Sequence, residues 1–190
     1  MIADKSRDGW FGASDVDYVM GNWGTKTFGK WWMQKLGLNT DSFSTTYTNA
    51  GTYYEHAVLE RIGAPRMDHQ IIIPELLLRV NLDGDAPGKI WEIKTHKAEK
   101  AYKPTRTHLR QVNVQMYAKR MVEKVLPDAV IAAYALEEED YRNFFREIDP
   151  ARLRTYPVGC DEAFIESYLP RLEYLAGCLR KGEWPRSGCV

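Results

Sequence analysis

Apolar residues recur at three- and four-residue spacing in four stretches, and each predicts an amphipathic helix. Phe28, Trp31, Trp32 and Leu36 predict one from about Thr27 to Leu36, ended by Gly37. Tyr54, Val58, Leu59 and Ile62 predict a second, with Glu55 on its polar flank. A third is long: Leu109, Val112, Val114, Met116, Tyr117 and Met121 make a broad buried side, while His108, Gln111 and Gln115 share a polar face. Phe164, Tyr168, Leu172 and Leu175 predict a closing helix from about Asp161 to Lys181. A short helix should also follow Ser14, and a polar linker should run from Asn39 to Asn49. Strands are expected at Gln70 to Leu82, Lys89 to Thr95, Ala129 to Leu136 and Tyr141 to Ile148. Helix, strand pair, helix, strand pair, helix describes an α/β sandwich with a mixed central sheet flanked by helices.

The most informative chemistry lies around the turn Pro87-Gly88. Leu82-Asp83-Gly84-Asp85 precedes it and Ile90-Trp91-Glu92-Ile93-Lys94 follows, so the turn residues predict a β-hairpin. In an alternating strand Glu92 and Lys94 share one face, and Trp91 and Ile93 point to the core. Asp83 can meet Glu92 and Lys94 across the turn. Two carboxylates there suit a hard divalent cation such as Mg²⁺, and a lysine beside it can hold or help deprotonate an attacking water, or stabilise charge growing on a phosphate. Asp-Gly is also a common turn, and Glu/Lys alternation also describes a solvated strand face.

Four segments in order make the chain resemble the PD-(D/E)XK nuclease superfamily, within it the phage λ exonuclease/YqaJ branch, related to the RecB and Cas4 nuclease modules. Leu82-Asp83-Gly84 with Glu92-Ile93-Lys94 is similar to the branch's Asp-Gly and Glu-x-Lys elements, with Leu82 where a proline is usually written. The segment from Arg7 to Asp15 resembles the N-terminal signature, an Arg followed seven residues later by the Ser of Ala13-Ser14. Gly51-Thr52-Tyr53-Tyr54-Glu55 resembles a Gly-x-x-x-Glu element, and Gln111-Val112-Asn113-Val114-Gln115 a helix carrying an active-site Gln. The resemblance implies a restriction-endonuclease-like fold. It implies that Glu55, Asp83, Glu92 and the Ile93 carbonyl hold one or two Mg²⁺ or Mn²⁺ ions, that Asp83, Glu92, Lys94 and Gln111 are catalytic, and that Arg7 and Ser14 bind a terminal phosphate. Each has a plainer reading beside it: Ser14 before Val16, Val19 and Met20 is good N-cap chemistry, and Gln111 and Gln115 fit a polar helix surface.

Charge narrows the partner. The chain has 190 residues, with 26 Lys and Arg against 26 Asp and Glu, so it lacks the basic excess of many nucleic-acid binders. Local distribution differs: from Lys94 onward come Lys97, Lys100, Lys103, Arg106 and Arg110 against the single acid Glu99, a stretch able to track a phosphate backbone. Acid gathers at Glu137-Glu138-Glu139-Asp140, read as a turn facing away from DNA. At 44% hydrophobic residues, with no long apolar run and no apolar leader after Met1, one nuclease domain over 1–190, no membrane contact and a cytoplasmic location in a bacterium or phage-infected cell are expected. The cysteines at 160, 178 and 189 form no C-x-x-C pair, so no iron–sulfur cluster is expected.

Together these readings predict a metal-dependent DNA exonuclease acting on duplex ends in phage or bacterial recombination. A homo-oligomer, trimeric by family analogy, and a single-strand annealing protein are the implied partners. Rival readings are a Cas4-like single-strand exonuclease, an endonuclease on the same core, and a DNA-end binding protein with a relict site.

Overall fold

A computed structural model describes residues 8–38 and 46–186 of the chain. Its helices are α1 (Val16–Met20), α2 (Lys26–Lys35), α3 (Thr46–Ile62), α4 (Arg106–Glu123) and α5 (Glu162–Lys181), and its strands are β1 (Arg66–Ile73), β2 (Leu78–Ala86), β3 (Lys89–Lys97), β4 (Asp128–Leu136) and β5 (Leu153–Val158). Local chemistry sets the helix ends. Thr25, Thr105 and Asp161 cap α2, α4 and α5 by accepting from the backbone N–H of Phe28, His108 and Phe164. Gly37 and Gly182 take the left-handed turn after α2 and α5.

The five strands form one sheet in chain order, antiparallel except for the parallel pair β3–β4, which α4 connects. Two apolar clusters cover it. The larger gathers Phe11, Trp32, Leu78, Val112, Met116, Tyr168 and Leu172 beneath α1, α2, α4 and α5. The smaller gathers Tyr54, Val58, Leu59, Ile93, Ala132 and Tyr134 beneath α3. A side chain at Gly84 would overlap Leu59 Cδ2, so the glycine of Asp83-Gly84 is needed for α3 to lie directly on β2.

Two expected strands are corrected. The Gln70 to Leu82 run is two strands, because Pro74 opens a short 3₁₀ turn and Leu77 adopts φ 48°, reversing the chain. Tyr141 to Ile148 is not a strand. Its apolar residues Tyr141, Phe144 and Ile148 are three and four apart, and all pack against the smaller cluster from a 3₁₀ turn, Glu138–Tyr141, and the irregular chain after it. The last strand is Leu153–Val158 instead. The expected linker from Asn39 to Asn49 lies mostly outside the described residues, and α3 already runs from Thr46. No described helix is long and apolar enough to cross a membrane.

Candidate active site

Strands β2 and β3 pair only beside their turn, through Gly84 and Trp91, Asp85 and Ile90, and Ala86 and Lys89. Beyond Asp83 and Glu92 they separate, β3 following β4 through nine paired residues. Phe11 occupies the vacated edge of β2, its N–H donating to Leu77 O and its O accepting from Arg79 N, both at 2.8 Å. The separation opens a cleft of about 370 Å³ lined by Trp10 to Asp15 on one side, Arg79, Asn81 and Asp83 on β2, Glu92, Ile93 and Lys94 on β3, Glu55 from α3 and Gln111 from α4.

Glu92 is buried, and both its oxygens are held. Oε1 accepts from Lys94 Nζ at 2.5 Å and Gln111 Nε2 at 2.7 Å, and Oε2 from Gln115 Nε2 at 2.5 Å. Gln111 Oε1 in turn accepts from Lys94 Nζ at 3.3 Å. Asp83 Oδ2 accepts from Ile93 N at 2.8 Å, an N–H that the separated strands do not use. Predicted residues Glu55, Asp83, Glu92, Ile93, Lys94 and Gln111 therefore meet in one cleft.

Electrostatics show what the cleft lacks. Burial, then the charges of Glu92 and Asp68, push the Glu55 carboxyl up to about 7. Burial, Glu92 and Glu55 raise Asp83 well above the usual carboxylate range, against the Ile93 N–H. Burial favours neutral Lys94, but Glu92, Asp83 and Glu55 outweigh it and keep the ammonium charged. Lys94 lowers both carboxyls and His56 lowers Glu55, but burial and the neighbouring acids outweigh them, so Glu55 and Asp83 remain short of positive charge. A divalent cation fits this deficit, and the hard oxygens of Glu55, Asp83, Glu92 and the Ile93 carbonyl are suitable donors for it.

Ser14 is not a helix cap. It lies exposed in a 3₁₀ turn, Ala13–Asp15, and faces the cleft. Its segment is pinned by buried Asp15, which accepts from Gly12 N at 2.7 Å and Trp31 Nε1 at 2.9 Å and pairs with buried Lys35 at 2.7 Å. Lys35 also donates to Trp10 O at 2.8 Å. Arg7 lies outside the described residues. Lys97 lines an adjoining groove of about 480 Å³ with Gly51, Thr52, Thr95 and His96, which shares Glu55 and Lys94 with the first. Arg110, from the basic stretch, lies over the Phe164 ring, 5.3 Å from its centre.

Sequence reasoning missed Arg79, Asn81, Gln115 and Lys35. The first two were readable, since positions 79, 81 and 83 alternate onto one strand face. Gln115 stands one helical turn from Gln111. Lys35 had no local signal.

No family profile and no curated protein matches this sequence. Solved structures do match. An alkaline exonuclease, LHK-Exo, from Laribacter hongkongensis superposes with TM-score 0.66 at 17% identity, covering 93% of this chain and 90% of that one. LHK-Exo in complex with dAMP gives TM-score 0.68 at 19% identity over the same shares. A phage-related exonuclease from Haemophilus somnus gives 0.59 at 12%, covering 92% of this chain and 96% of that one. The chain has the fold of these exonucleases, the α/β fold with a mixed sheet expected from the sequence.

Proposed function

We propose that the protein is a Mg²⁺- or Mn²⁺-dependent deoxyribonuclease that removes nucleotides from DNA ends. The observation that carries this reading is the cleft between the diverging strands, where Glu55 and Asp83 lack positive charge beside a charged Lys94. It is supported by a fold shared with exonucleases, one of them in complex with dAMP.

A bound cation would act as a Lewis acid on the phosphate and lower the pKa of a water at the site. The chain's own groups do the rest. Because its neighbours keep it protonated, Lys94 serves as a donor, orienting water and stabilising charge on phosphate oxygens, and not as the base. Gln111 bridges Lys94 and Glu92 and so fixes the angle between them. Ser14 and Arg79, on the wall opposite Lys94's strand, together with Arg7, bind a terminal phosphate. Lys97 and the exposed Lys100 and Lys103 beyond it follow the strand backbone. Cleavage would leave a 5′-phosphate and a 3′-hydroxyl. Free ends, a homo-oligomer around DNA and an annealing-protein partner complete the reading.

The test is nucleotide release from 5′-phosphorylated linear duplex DNA with Mg²⁺, Mn²⁺ or EDTA, beside Asp83→Ala. Metal-dependent release that vanishes in the variant is expected. No release with either metal, or equal release from the variant, would overturn the reading. Cutting of closed circles would replace exonuclease by endonuclease.

A further inference from the structure

Beside the Asp83 and Glu92 carboxylates lies a second group of donors, of which the proposed reaction uses only Glu55. Glu55, His56 and Asp68 each present one ligand atom, all within 4.8 Å of one another. Glu55 and His56 are consecutive on α3, and Asp68 is on β1. The pairs Met67 with Gly84 and His69 with Leu82 set Asp68 opposite Asp83.

Two acceptor-bearing atoms here sit in an arrangement that a hydrogen bond does not explain. His56 Nε2 is 3.2 Å from Asp68 Oδ2. It nevertheless forms no hydrogen bond, although it is a buried atom. Nitrogen and oxygen at that separation with no proton aligned between them are placed as two ligands of one cation are placed. The remainder of both side chains reaches solvent, 44% exposed for His56 and 28% for Asp68, so an ion has a way in. Asp68 holds φ 54° inside a strand, a left-handed conformation unfavourable to a residue other than glycine.

We propose that Glu55, His56 and Asp68 form a second divalent-cation site, with Glu55 common to it and the Asp83–Glu92 site. A nitrogen donor distinguishes this site from an all-oxygen one. Mg²⁺ is the smaller, harder ion, keeps oxygen ligands and gives up its waters reluctantly, whereas Mn²⁺ is a first-row transition ion and accepts a nitrogen ligand more readily, so the protein should hold a second Mn²⁺ where it holds a second Mg²⁺ poorly. The proposal rests on the nuclease reading for its purpose, but not for its test.

The test measures Mn²⁺ bound per chain by electron paramagnetic resonance on tag-free, full-length protein, with pulsed spectra to detect nitrogen coupling. Two ions and a histidine-nitrogen coupling are expected in the wild type. His56→Gln should lose the coupling and one ion, whereas Asp83→Asn should keep the coupling. If His56→Gln fails to fold by circular dichroism, replacement of His69, His96 and His108 together leaves only His56 of the chain's 4 histidines, and the coupling must persist there. Absence of nitrogen coupling at saturating Mn²⁺, or coupling unchanged in His56→Gln, would overturn the site and leave His56 and Asp68 an ordinary ion pair. Nucleotide release is scored separately. Coupling without release would sink the nuclease reading and leave this site standing, and release without coupling would do the reverse.

Discussion

Two clusters of buried acid, one around Asp140 and one around Asp83, have opposite electrostatics. Around Asp140, burial disfavours the charge, but Arg152 and Arg146 and the N–H of Glu137 more than offset it and hold the carboxyl below the usual range. Arg152 lies 2.6 Å from Oδ2 and Arg146 2.9 Å from Oδ1, and Tyr54 O–H donates at 3.2 Å. Around Asp83, burial acts in the same direction, but the neighbours are other carboxylates and the pKa rises. The first cluster is complete within the protein. The second is incomplete, and its deficit is positive charge. The denser run of acid in the sequence, Glu137-Glu138-Glu139-Asp140, is thus the one that the protein itself neutralises. What separates a structural cluster from a site is whether the protein itself neutralises the charge it buries.

The contrast can be broken most severely at Lys94. Lys94→Ala should cut nucleotide release by roughly a thousandfold or more, on the order of a lost transition-state contact. Mn²⁺ binding should persist because the carboxylates remain, which titration of bound Mn²⁺ checks; activity within tenfold of wild type would refute the role. At the other cluster, Asp140→Asn should leave nearly buried Arg152 and partly exposed Arg146 with only Glu137, Glu139 and Asp149 to pair with, and destabilise the fold by about 1 to 3 kcal/mol. Thermal unfolding should show the loss equally with and without Mn²⁺. A loss that Mn²⁺ reverses would mean that the two clusters do not differ as described.

Much of this contrast was legible in the sequence where it depended on spacing. Alternation put Glu92 and Lys94 on one face, and the helical repeat put Gln111 toward them; both hold in the structure. Interactions between distant segments were not legible. Lys35 is buried at a helix end by Asp15, twenty positions earlier, and by the Trp10 carbonyl, partners that no local pattern announces. The cleft itself depends on β3 leaving β2 after one turn to follow β4, a competition between two partners for one strand that no local pattern records. The difference at Tyr141 to Ile148 is one of period: its apolar residues stand three and four apart, which suits a helical turn and not an alternating strand.

The pH dependence of stability should separate the clusters by sign. Glu55 rises in the folded protein from 4.5 to about 7. A carboxyl raised on folding adds stability below its unfolded pKa and loses it as pH rises through the folded value, so the metal-free protein should weaken between about pH 4.5 and 7, by on the order of 1 to 3 kcal/mol. Glu55→Gln should flatten that decline, and Mn²⁺ should oppose it. Asp140 is lowered, so its contribution is full above its unfolded value and is lost only as pH falls through the folded one. Guanidinium denaturation of wild type and Glu55→Gln across this range, in EDTA, reads the difference. Parallel curves for the two proteins would remove Glu55 from the charge deficit.

The finest distinction concerns Gln115, which does not itself line the cleft and reaches it through Glu92 and the Asn81 carbonyl. Its Nε2 donates to Glu92 Oε2 at 2.5 Å, while its own Oε1 is buried without a hydrogen-bond partner. Keeping that orphaned oxygen costs stability, so the contact serves the orientation of Glu92 more than the fold. Gln115→Met keeps the volume, removes the orphan and releases Oε2. Stability should then change little or rise, while Mn²⁺ affinity falls by about tenfold, the usual scale for a group that orients a metal ligand. Calorimetric titration with Mn²⁺ beside thermal unfolding of the same variant reads both quantities. Loss of stability with unchanged affinity would make Gln115 a packing residue and leave Gln111 and Lys94 as the groups that hold Glu92 in place.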